Sequence, residues 1–174
     1  MTIRNRRAWL LACLTTALVG LVPAAQASRH SSLPFTPGHY SGFTDQTCPA
    51  QPLPAGVCKP GERLPISFTL SGSLARNVQT IVVLHCLEQP KTVVHAVSVP
   101  RSRVVFRGKK AFFQNLRNLA AGMGHDTVSG MVQGQAALGD VQSLLPVNAA
   151  GQLDGHGENV CDISPVHWKA KRAG

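Results

Sequence analysis

Ile66, Phe68 and Leu70 alternate with Ser67, Thr69 and Ser71, a period of two that predicts an amphipathic strand with one wet face. Thr80 to Leu87 is a nearly unbroken apolar run and predicts a strand covered on both faces. Gln89-Pro90-Lys91 reads as a turn. Thr92 to Val99 alternates again, with Val93, His95, Val97 and Val99 on one side, and Pro100 is expected to end it. Val104-Val105-Phe106 predicts a short fourth strand closed by Gly108. From Lys109 to Gly122 the period changes. Phe112, Leu116, Leu119, Ala120 and Met123 fall on one apolar stripe of a helix, and Gly122 and Gly124 suit its end. Further on, Val128, Met131 and Val132 suggest a strand and Gln135 to Leu138 another. Val147 to Glu158 reads as loop, and Val160 to Val166 as a last strand.

These elements predict an α+β domain: an antiparallel sheet of about five strands packed on one α-helix, with a partly open barrel as a variant. The element order over Ile66 to Met123 is similar to that of small exported oligonucleotide/oligosaccharide-binding barrels such as toxin receptor-binding subunits, without a motif specific to that family. The domain is expected over residues 66–168. Residues 28–65 hold seven of the twelve prolines and no sustained periodicity, which predicts an irregular arm. Residues 169–174 read as a basic tail.

The start of the chain carries a different pattern. Arg4, Arg6 and Arg7 form a basic head, Ala8 to Val22 an apolar run, and Ala25-Gln26-Ala27 a cleavage site before Ser28. Residues 1–27 therefore read as a secretory signal, with the paired arginines also fitting a loose twin-arginine pattern. The apolar run is shorter than the ~20 residues of a membrane helix. The remaining chain is expected to be exported, in the periplasm or outside the cell, with no transmembrane segment.

Charge is segregated. The full chain carries +9, and seven Lys or Arg without one acid lie between Gln89 and Arg117. From Asn118 to His167 there are five acids and no Lys or Arg. Either the two blocks cancel across neighbouring strands, or the basic block faces an anionic partner. The ridge Arg101, Arg103, Arg107, Lys109 and Lys110 is the candidate binding site. An anionic glycan, lipid or acidic protein surface is its expected partner, and nucleic acid is not.

Four cysteines remain beyond the signal. An even count in an exported chain reads as two disulfides. Cys48–Cys58 would close the proline-rich loop and Cys86–Cys161 would tie the sheet to the C-terminal segment; Cys48–Cys161 with Cys58–Cys86 is the other main pairing. His85, His156, Glu158, Cys161 and Asp162 are of metal-ligating types, but none of the usual ligand spacings is present, and no metal or cofactor is expected.

No nucleophile elbow or phosphate-cradling loop occurs. The expected function is therefore non-catalytic: a binding or accessory protein of the cell envelope that uses the basic region. One rival is a small secreted hydrolase, metal-assisted or not, centred on His125, Asp126, His156 and Glu158. Another is a structural or secretion-associated subunit that pairs through sheet edges.

Overall fold

A computed structural model describes residues 33–174 apart from 51–57, 89–90 and 121. The signal segment lies outside the described residues. The described chain is all-β: β1 (Gly38–Thr47), β2 (Arg63–Ser71), β3 (Leu74–Cys86), β4 (Thr92–Arg107), β5 (Lys110–Asn118), β6 (His125–Gln133), β7 (Ala136–Val147), β8 (Asn159–Asp162) and β9 (Val166–Arg172). The nine strands form one antiparallel sheet in the order β2-β1-β9-β7-β6-β5-β4-β3-β8. Pairing of β2 with β3 closes the sheet on itself. Short β8 bridges β3 and β7.

The α+β expectation is thus overturned: there is no helix among the described residues, and nine strands stand where about five were expected. The helical stripe over Lys109 to Gly122 is mostly β5. Its inward residues are Ala111 and Phe113, both buried, while Phe112 points outward and Leu116 is 60% exposed. Apolar residues on both faces erased the period of two. Arg107 pairs with Lys110 across a two-residue turn, and Gly108 at φ +58° takes its first position, as a tight II′ hairpin requires. The β2–β3 and β6–β7 hairpins use Gly72 and Gly134 in the same way.

Other boundaries move too. Strand β1 and the start of β2 lie within 28–65, which was expected to be irregular. Inward positions of β1 are Tyr40, Gly42 and Thr44, too mixed to show alternation. Pro100 does not end its strand: β4 runs on to Arg107. The proline falls opposite Asn77, which lies at a bulge with φ +50°, where a missing N–H costs no ladder bond. Residues 169–172 are part of β9, not a tail.

The interior is filled, not hollow. Tyr40 stacks on Phe68 at 5.1 Å between ring centres, and Phe68 meets Phe113 at 5.5 Å and Trp168 at 5.6 Å. Valines from β3, β4, β6 and β7 complete the packing. The Tyr40 hydroxyl donates to the Thr36 carbonyl at 2.7 Å. Burial raises the Tyr40 pKa above its ordinary value, against the opposing pull of Arg172 and of this hydrogen bond. Trp168 is fully buried, and its Nε1–H has no hydrogen-bond partner among the described residues.

Both disulfides are present, Cys48–Cys58 and Cys86–Cys161. The second links directly paired residues of β3 and β8. The first packs into a small satellite core with Leu64 and Val83.

Candidate functional site

Two adjacent glycines shape the outer face of the sheet. Gly130 of β6 pairs with Gly139 of β7. Both face inward, where a side chain has no room. A Cβ on Gly130 would lie 2.4 Å from the Phe113 ring, and one on Gly139 2.6 Å from Trp168 Cζ2. The two rings press directly on backbone at this point.

Outside this point runs a groove of about 550 Å³. Its floor is one continuous cross-strand row, in which Val105 pairs with Phe112, Phe112 with Met131, and Met131 with Leu138. The same row continues through Lys169 to Phe43 on β1. Val105 is 50% exposed, Leu138 48% and Phe43 49%, so the row is an apolar band facing solvent.

Arg103 and Arg107 line the groove on the β4 side. Alternation puts Arg101 on the same outward face as both, and all three are exposed. The Arg107 guanidinium lies 6.0 Å from the centre of the Phe112 ring. Lys109 and Lys110 sit at the hairpin tip beyond it, so the five ridge residues form a strip leading from the groove to the end of the barrel. Arg76 of β3, outside the ridge expected from the sequence, pairs directly with Arg101. The like charges repel across that pair. Among the described residues, no carboxylate lies within ion-pair distance of Arg76, Arg101, Arg103, Arg107, Lys109 or Lys110.

Two of the five acids of the following segment, Asp126 and Asp140, are paired with histidines instead. Asp140 on the far side of the groove bonds to His167 Nδ1, with both side chains largely open to solvent. Asp126 faces inward and is fully buried. Its carboxylate accepts from His95 Nε2 at 3.0 and 3.2 Å and from Ser143 Oγ at 2.8 Å. Between these groups β4 and β5 part: their ladder covers only Val104–Arg107 with Lys110–Phe113. Arg117 spans part of the opening and donates to the Ser98 carbonyl at 2.6 Å.

A serine, a histidine and an aspartate in contact invite comparison with a hydrolytic triad. The order is wrong. A nucleophilic serine needs the histidine as its base, with the carboxylate behind that histidine. Here the carboxylate stands between them and receives both hydrogens, in a buried interior. Of the other residues weighed for hydrolysis, His125 points away from Asp126 along the strand, and His156 and Glu158 are exposed on the β7–β8 connection. Among the described residues no group of three His, Cys, Asp or Glu could hold a metal ion.

No family model, curated protein or solved structure matches this chain, and the reading of its site rests on the geometry above.

Proposed function

We propose that this is an exported, non-catalytic binding protein of the cell envelope that docks on a phosphate-bearing lipid surface through the basic strip beside the groove. One observation carries the reading. Six cations, Arg76, Arg101, Arg103, Arg107, Lys109 and Lys110, lie exposed with no acid among the described residues near enough to pair, and four of them face each other in two cross-strand pairs, Arg76 with Arg101 and Arg107 with Lys110. A block of charge retained at a local electrostatic cost, with Asp126 and Asp140 engaged by histidines, is best explained by an external anion. Val105, half exposed between Arg103 and Arg107 on the same strand face, favours lipid over a purely polar glycan. Two disulfides and the expected signal segment suit an oxidising compartment.

The test is sedimentation with vesicles. Vesicles containing phosphatidylglycerol should retain the protein and pure phosphatidylcholine vesicles should not. Arg103→Ser/Arg107→Ser/Lys110→Ser should cut retention at least tenfold and flatten its salt dependence, with circular dichroism unchanged. Unchanged retention in the folded triple variant overturns the proposal. So does retention on heparin with none on the anionic vesicles, which would assign the strip to a glycan.

A further inference from the structure

We infer that the groove across β4, β5, β6 and β7 binds a single-chain amphiphile with an anionic head. The inference rests on the reading of the basic strip as an anion site and adds what lies beside it.

The floor sets the shape of the ligand. Val105, Phe112, Met131 and Leu138 stand in one row across four strands, three inter-strand spacings of about 4.8 Å each. Such a track suits an extended alkyl chain laid across the strands. Gly130 and Gly139 lie along its middle, with the Phe113 and Trp168 rings directly behind their backbone. The volume of about 550 Å³ lies within the range of small-molecule sites.

The walls set the polarity. Arg103 and Arg107 flank Val105 at one end of the track, and neither has a carboxylate partner among the described residues. At the other end Asp140 is engaged by His167, and a single cation, Lys169, follows Leu138 in the row, against two guanidiniums at the β4 end. An anionic head therefore belongs at the β4 end. A guanidinium pair two residues apart on one strand face is suited to clasp a phosphate or carboxylate. The chain then runs toward Leu138, away from the arginines.

The fold supplies a reporter. Trp168 lies directly behind the glycine pair, with Cζ2 against the positions that line the groove. In a Trp9→Phe background it is the sole tryptophan of the chain. Titration with dodecyl phosphate below its micelle concentration should change Trp168 emission and give one-to-one binding by calorimetry. Dodecyl maltoside, with the same chain and an uncharged head, should bind at least tenfold more weakly. Inorganic phosphate should give no measurable heat. Met131→Gln/Leu138→Gln changes two outward-facing side chains without altering charge. It should weaken dodecyl phosphate at least tenfold while leaving salt-dependent retention on anionic vesicles intact. Arg103→Ser/Arg107→Ser should weaken both.

No binding of dodecyl phosphate to the unmodified protein overturns the inference, whatever the vesicles do. Equal affinity for dodecyl maltoside removes the anionic head from it. Unchanged dodecyl phosphate affinity in a folded Met131→Gln/Leu138→Gln protein removes the groove. Binding of dodecyl phosphate without vesicle retention upholds the groove and overturns only the docking of the strip on a lipid surface.

Discussion

The described residues hold two histidine–aspartate pairs in opposite settings. His95–Asp126 lies inside, where β4 and β5 part, with the His95 side chain 11% exposed and Asp126 not at all. His167–Asp140 stands on the outer rim of the groove, 71% and 44% exposed. The same two groups therefore do different work. Inside, the carboxylate is held by two donors on different strands and links β4, β6 and β7 where the ladder is missing. Outside, water competes for every hydrogen bond, and the pair's main effect is on local charge. Burial, more than the identity of the partners, decides how much each pair contributes to stability.

That contrast can be broken by mutation. Asp126→Ala leaves His95 and Ser143 buried without their shared acceptor. It should destabilise the fold by about 3–5 kcal/mol in urea unfolding. A loss below about 1 kcal/mol would mean that the inner pair is no stronger than the outer one. Combining Asp126→Ala with His95→Ala should cost clearly less than the sum of the two, because the two share one interaction.

Tyr40 sharpens the comparison as a buried group kept neutral. It is the only tyrosine in the chain, so absorbance at alkaline pH reads it alone. Its pKa is raised in the folded protein by burial, so the phenol keeps its proton where the unfolded chain has lost it. Stability from this source is complete below the unfolded value, near 10, and falls as pH rises from there through the folded value. Tyr40→Phe should cost about 1 kcal/mol at neutral pH through the lost bond to Thr36. It should also remove part of the alkaline decline. A titration midpoint at or below that of free tyrosine would contradict the burial argument.

The outer pair should give the smallest effect. Asp140→Ala should change stability by less than about 1 kcal/mol, and by less still in high salt. A loss comparable to that of Asp126→Ala would show that the groove rim is structural.

Where sequence and fold agree, one face of a strand was uniformly apolar. Ile66, Phe68 and Leu70 alternate with polar residues and lie on the inner face of β2. The long apolar run in β3 reflects cover on both sides, with Val82 and Leu84 inside and Val83 packed with Cys48 and Leu64. Where they disagree, the outer face was apolar as well. Phe112 made β5 resemble a helix, and it lies in the groove. Phe43 broke the pattern of β1 in the same way. The feature that hid these strands is the exposed apolar band itself. The spacing of two-residue Gly-x turns, Gly72-Ser73, Gly108-Lys109 and Gly134-Gln135, was the available signal for hairpins. Three of the five ridge residues were legible as one face from alternation. Their neighbour Arg76 was not, because its pairing with Arg101 shows only in the register of β3 against β4, two strands whose alternation changes face near Asn77 and Pro100.

The ring is completed by its two extremes: β9, the last strand, pairs with β1, the first. Closure thus joins residues some 130 positions apart, such as Phe43 and Lys169, and cannot occur until the C-terminal seven-residue strand is present. Contacts this distant in sequence are slow to form. Until they form, the chain carries two free edges, on β1 and on β7, each able to pair with another molecule. Lys169, Lys171 and Arg172 alternate along or cap the strand that closes them. Charges at that place discourage a second chain from taking its position, so β9 guards against aggregation during folding as well as completing the wall.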